Sequence, residues 1–341
     1  MRFGAISIDE AEGTILAHKI FNNNGRLLFN KGRILSRDDI ETLRDHQHEM
    51  VIVAQIDTHD VHENEAARRV GEALAGHGIN VKAPGVGRAN LMASERGVLR
   101  VNVPVLERLN TIYDGITIAT LHEHTLVDIG DLVTLVKIVP FAVPDARIKD
   151  VECIAAEANS IVVVRPLKKG KVALIISGHE SVKERLINGF HEPVKNRIDF
   201  LGSDLLEPLY VAHDATAIAH AIQDYSDCDL ILIASMSAII DREDIVPSAL
   251  LLAGGSITQH GVPVDPGTLL MMGYLGDVPV VGAPGCVKSP KTNVIDWILP
   301  RLLAGERLSR ADLVAMGHGG LLKDIPERPM PRNLTDNTDE S

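Results

Sequence analysis

Residues 229–234 read Asp-Leu-Ile-Leu-Ile-Ala and run directly into Ser-Met-Ser-Ala-Ile-Ile-Asp-Arg-Glu-Asp at 235–244. A short, unbroken aliphatic run lacks the alternation of a strand with one wet face. It is the pattern of a strand covered on both sides, as in a parallel sheet, and helical spacing resumes at 243–252. On its N-terminal side, 171–176 and 161–164 are runs of the same kind, separated from it by helical stretches at 182–188 and 193–201, a strand at 209–211 and a helix at 216–225. On its C-terminal side, 256–261 is extended, 269–274 and 278–282 form a hairpin around Leu275-Gly276-Asp277, and 293–303 is helical. Strands alternating with helices predict βαβ units, hence an α/β fold whose C-terminal domain is three-layered with a mostly parallel sheet.

A smaller mixed α/β region precedes it. Ser36 followed by Asp39 predicts a capping box that opens a helix reaching about residue 46, with a strand at 50–54 after it. Helical spacing returns at 63–75; Gly76, Gly78, Pro84, Gly85 and Gly87 then predict a loop. Runs at 116–121 and 132–139 predict strands, and 144–157 a helix. The expected division is 1–80, an N-terminal mixed region; 81–159, a small mixed domain; 160–310, the α/β domain; and 311–341, a linker-like acidic tail, partly disordered.

Composition narrows the class of partner. Against 46 acidic side chains stand 34 basic ones, a net charge of −12 with no basic block, which would repel a phosphate backbone. Only 3% of residues are aromatic, leaving few platforms for stacking bases, so no nucleic-acid partner is expected. Cys153, Cys228 and Cys286 are widely spaced and fit neither a disulfide framework nor a metal knot. With acidic residues where a signal peptide needs an apolar core, and no long apolar run, the expectation is a cytoplasmic protein without membrane association.

Ligands of open parallel sheets sit at the carboxyl ends of strands. Three segments are expected there: Ser177-Gly178-His179-Glu180, Ser235 through Asp244, and Pro284-Gly285-Cys286-Val287-Lys288-Ser289. Helix N-termini and the hydroxyls of Ser177, Ser235, Ser237 and Ser289 suit an anion with a heterocyclic body. Each signal also has an ordinary structural reading, as a turn or a helix cap. The pairs His122/His124, His46/His48 and His59/His62 lack a third ligand and are set aside as metal sites. Arg88 and Asn90 are polar residues in a glycine-rich stretch, read either as ligand contacts or as structural ties.

The order of these segments resembles the domain shared by the molybdopterin molybdotransferase and molybdopterin adenylyltransferase families. Ser177-Gly178-His179-Glu180 looks like the counterpart of their Ser-Thr-Gly-Asp-Glu segment, Ser235–Asp244 like the loop that ends in an aspartate, and Asp265-Pro266-Gly267-Thr268 and Pro284-Gly285 like their two Pro-Gly turns. The stretch 254–290, with 235–247 and 87–102, is most similar to the molybdopterin-binding N-terminal region of bacterial proteins in which a cofactor cytidylyltransferase-type domain follows. That second domain is expected to be absent here, since its Gly-rich segment does not occur. The resemblance implies molybdopterin as ligand, a role in molybdenum cofactor biosynthesis or handling, a molybdoenzyme or cofactor-synthesis enzyme as partner, and a homo-oligomer. It implies binding by Ser177, Gly178, Glu180, Ser235, Ser237, Asp244, Pro266, Gly267, Pro284, Gly285, Lys288 and Ser289.

Two departures stand beside the match. Met236, Ser237, Ala238 and Ile239 occupy the place of the relatives' glycines, and Asp265 that of a lysine. Glycine would let backbone approach a ligand closely; these residues do not. Three readings therefore stay open: a cofactor-binding protein; a transferase or nucleotide pyrophosphatase with Asp241 or Asp244 catalytic and Mg²⁺ held at Asp244; and a scaffold that has lost the ligand site.

Overall fold

The computed structural model describes residues 1–322, in two compact units, Met1–Arg165 and a second that begins at Pro166. The chain is α/β. Among the described residues no helix is long and apolar enough to cross a membrane.

The first unit has two cores. In the N-terminal one, strand Met50–Gln55 lies between Arg2–Ser7 and Ile15–Leu16, both antiparallel to it. Helix Arg37–Asp45 brings Ile40 and Leu43 against Leu16, Leu35, Val51 and Val53. The capping box forms: the Asp39 N–H donates to Ser36 Oγ at 3.3 Å and the Ser36 N–H to Asp39 Oδ2 at 3.1 Å. Arg33 pairs with the same carboxylate and holds Asp39 below the usual carboxylate range.

The second core gathers helices Glu63–Leu74 and Asp145–Glu157 with a four-stranded antiparallel sheet in the order 116–120, 132–138, 88–93, 79–85. Arg69 fastens the two helices through Glu152 and Asp145, at 2.8 and 2.7 Å. Two expectations change here. The glycine-rich 76–87 stretch is largely strand, Ile79–Gly85 paired with Arg88–Ala93, its glycines serving a hairpin turn in which Gly85, Val86 and Gly87 all adopt positive φ. Strand Val162–Pro166, expected to open the parallel sheet, instead joins Gly97–Val101 and Leu126–Val127 in the first unit. The sequence boundary at 80 thus falls within a strand.

The second unit is built on a seven-stranded sheet. Lys171–Ser177 pairs in parallel with Asp204–Leu205 and Leu209–Val211 along one edge and with Leu230–Ser235 along the other. Leu230–Ser235 pairs in parallel with Val278–Ala283, and Met271–Leu275 and Ser256–His260 follow in antiparallel order. Alternate residues Ala173, Ile175, Ile231, Ile233 and Val280 pack against helices Ala215–Asp224 and Ile245–Leu252. Leu174, Ile176 and Leu232, facing the other way, are equally buried, and helix Lys183–Phe200 packs on the Lys171–Ser177 strand.

That helix was expected as two. It runs unbroken through Pro193 because Leu186, Phe190, Val194 and Ile198, four residues apart, bury one continuous stripe. The described part of the expected tail is packed: helix Arg310–Ala315 buries Leu313, and Asp265 takes the Leu322 N–H at 3.1 Å while donating to Gly320 at 2.8 Å. The rest of that tail, 323–341, lies outside the described residues, and with it the expectation of partial disorder there.

Candidate functional site

Sheet register places two of the three expected segments side by side. Ser177 and Ser235 are Cα partners at the ends of neighbouring parallel strands, Val211 partners Ser177 on the other side, and Ala234 partners Ala283, from which the third segment departs. All four strands end at one edge.

Into this edge comes a residue that sequence reasoning missed. His213 follows strand Leu209–Val211 by two residues, immediately before Asp214, whose side chain caps helix Ala215–Asp224 by accepting from Thr216 and Ala217 at 3.0 and 2.9 Å. The His213 Nδ1 lies 3.2 Å from Ser177 Oγ and 3.3 Å from Ser235 Oγ, and Nε2 lies 3.0 Å from Ser237 Oγ. Ser237 returns to the cluster through its N–H, which donates to Ser235 Oγ at 3.3 Å. One imidazole therefore collects three hydroxyls from two loops. Burial lowers the His213 pKa below its ordinary value and His179 adds to this, its ring edge-on at 6.4 Å between centroids; Asp244 and Asp214 oppose the shift. The ring is neutral near pH 7, so one nitrogen donates and the other accepts. A histidine at the end of a parallel strand, just ahead of an Asp N-cap, was the signal available in the sequence.

The other expected residues divide into those beside the cluster and those engaged elsewhere. At Gly178 a Cβ would meet the Tyr210 hydroxyl at 2.5 Å and Leu186 at 2.6 Å, so glycine allows Tyr210 to donate to the His179 carbonyl at 2.7 Å. Glu180 is exposed and pairs with Lys183 at 3.4 Å. Asp244 caps helix Ile245–Leu252: Oδ1 accepts the Ile245 N–H at 2.8 Å and Oδ2 the Ile240 N–H at 3.1 Å, which closes the 236–244 loop. Asp241 accepts the Glu243 N–H at 2.8 Å. Both carboxylates thus accept backbone N–H groups, and no group of three or more His, Cys, Asp or Glu that could hold a metal ion occurs among the described residues.

The third segment is organised by Arg197, which sequence reasoning also missed. Its guanidinium donates to the carbonyls of Val287 at 3.1 Å, Ser289 at 2.8 Å and Lys291 at 3.2 Å, and pairs with Asp296 at 2.8 Å. Pro284 and Gly285 open the short turn Gly285–Lys288, which presents the first of these carbonyls. Lys288 lies over the Phe190 ring, 4.3 Å from its centroid, and Ser289 Oγ accepts the Lys291 N–H at 3.2 Å. Pro266 and Gly267 buttress helix Val294–Leu303: the Pro266 carbonyl accepts the Val294 N–H at 3.1 Å, and a Cβ on Gly267 would stand 2.2 Å from Val294 Cγ1. The N-terminus of that helix is thus already occupied by Pro266 and by the Asn293–Asp296 capping box.

Comparison with known proteins adds the following. A family described as "Domain of unknown function (DUF8806)" matches residues 5–55, and no curated protein matches the chain in sequence. Solved structures similar to it include a molybdenum cofactor biosynthesis protein from Pyrococcus furiosus, 12% identical over 92% of this chain, TM-score 0.22. They also include two molybdopterin biosynthesis moeA protein structures from Pyrococcus horikoshii, 13% and 14% identical over 89% and 92% of this chain, TM-scores 0.30 and 0.25. The chain spans 65% of the first of these proteins and 75% of each of the others.

Proposed function

We propose that the second unit binds a molybdopterin-type pterin at the carboxyl edge of its sheet, and that the chain acts in molybdenum cofactor biosynthesis or handling. The observation that carries the reading is the register: Ser177 and Ser235, from the two segments that resemble the families' ligand loops, are neighbours, with Ser237 beside them. The Ser235 and Ser237 hydroxyls offer donors to a phosphate or to pterin heteroatoms, and exposed Met236 and Ile240 on the same loop offer apolar surface to a flat ring. On this reading the bound cofactor passes to a molybdoenzyme or to another enzyme of cofactor synthesis, and self-association is expected as in related domains.

Calorimetric titration of molybdopterin tests it. Wild type should bind saturably, and Ser237→Arg, which fills the loop mouth, should bind at least tenfold more weakly with an unchanged melting temperature. Absence of binding by folded wild type rejects the proposal. It would turn attention to the scaffold reading, which Ile239 favours: it is buried, and its Cδ1 would lie 2.4 Å from a Cβ on Gly282, so this one side chain packs inward where a glycine would leave room.

A further inference from the structure

We propose that Ser237 and His213 form a nucleophile and general-base pair able to cleave an ester or a similarly activated acyl group, an activity beyond pterin binding that uses the same loop. Of the three serines around the imidazole, Ser177 is fully buried and Ser235 half-buried, whereas Ser237 is exposed to an incoming molecule. Its Oγ lies 3.0 Å from His213 Nε2, within reach for proton transfer.

The base is oriented from its far side. A proton on Nδ1 has the Ser177 and Ser235 oxygens at 3.2 and 3.3 Å as acceptors, and that tautomer turns the Nε2 lone pair toward the Ser237 hydroxyl. Ser235 also accepts the N–H of Ser237, tying the nucleophile's backbone to the strand that carries the cluster. A hydroxyl stands where the more familiar triad places a carboxylate, so less stabilisation reaches the imidazolium and turnover should be modest. Exposed Met236 and Ile240 beside Ser237 suit an apolar acyl chain.

The chemistry balances with the groups present and water. Ser237 Oγ bonds to the acyl carbon as its proton moves to Nε2; the alcohol departs with that proton. Water then attacks the acyl-serine, gives a proton to Nε2 and frees the acid, and the proton returns to Ser237. A fluorophosphonate probe stops at the first half: the Oγ–P bond forms, the P–F bond breaks, fluoride leaves and the proton passes to His213.

The test is fluorophosphonate labelling followed by peptide mass mapping. The expected result is one adduct, on Ser237, absent in Ser237→Ala and formed about 10²-fold more slowly or worse in His213→Gln. No adduct on wild type, an adduct only at other serines, or an equal rate in a His213→Gln variant that melts like wild type overturns the proposal. Wild type alone gives a second test, valid even if His213→Gln does not fold. Labelling should rise with pH through one ionisation below the ordinary imidazole value and then level off, as the base among His179, Asp214 and Asp244 loses its proton. A rise continuing without a plateau to pH 10 overturns the pair. Because labelling needs no pterin, adducts without molybdopterin binding would leave this activity standing and remove the cofactor reading, and the reverse result would do the opposite.

Discussion

Both edges of the second unit's sheet use polar side chains to complete the backbone, and the carboxyl edge adds a cluster of a different kind. At the amino edge they complete the backbone: Asp229 accepts the Lys171 N–H at 2.7 Å, Ser203 takes the Gly170 N–H at 3.2 Å, and the Tyr274 hydroxyl takes the Leu308 N–H at 2.7 Å. Arg301 is buried there with Glu306, both side chains 4% exposed, and reaches Asp312 at 3.1 Å. At the carboxyl edge, three hydroxyls and an imidazole face one another from side chain to side chain. Backbone groups need partners wherever they are buried, so the first arrangement is what any fold requires. Apart from the Ser237 N–H that Ser235 accepts, the hydroxyls and the imidazole of the second arrangement are engaged with one another, and this marks it as the place to look for chemistry.

The contrast can be broken at either edge. Arg301→Ala should be the most damaging change, because it strips the cation from a buried carboxylate; a loss of about 4 kcal/mol is expected. Urea denaturation would measure it, and folded material should still label with fluorophosphonate as wild type does. Arg197→Ala should cost about 3 kcal/mol, since three loop carbonyls and Asp296 lose a charged donor together. Unlike Arg301→Ala it should also weaken molybdopterin binding, because it releases the 284–291 loop. An Arg197→Ala protein that binds normally would confine the ligand to the Ser177 and Ser235 loops.

The smallest effect separates the edges by pH. His213 titrates lower in the folded protein than the roughly 6.5 of an exposed imidazole, because burial disfavours its charged form. Between those two values the unfolded chain holds the extra proton, so stability falls as pH drops below about 6.5 and the loss is complete once pH passes the folded value. Denaturation midpoints at pH 7.5 and 5.0 should therefore fall further for wild type than for His213→Gln. Equal falls would mean that the ring is not desolvated as the geometry implies.

Much of this was legible beforehand. The apolar run at 230–234 announced a doubly covered strand, and the Ser36 and Asp39 pair announced a helix start, because both signals are local. What stayed hidden depends on partners distant in the chain. Residues 162–164 have the same aliphatic character as 172–176, and nothing in periodicity says that one run pairs with 97–101 and the other with 230–235. The two helices expected at 182–188 and 193–201 are one because the Leu186–Ile198 stripe, through burial, outweighs the local penalty of Pro193. Of the site, the three serines were found as strand-end hydroxyls. His213 and Arg197 were not, since what singles them out is the set of groups that gather around them.

One consequence of the Ser177–Ser235 register bears on assembly. Side chains alternate faces along a strand, so a slip of one residue between Lys171–Ser177 and Leu230–Ser235 would turn one serine away from the imidazole and push aliphatic side chains toward the opposite layer. The hydroxyl cluster therefore exists only in molecules whose central strands have paired correctly. Reactivity at Ser237, once measured, would count properly threaded chains in a preparation where circular dichroism sees only total strand.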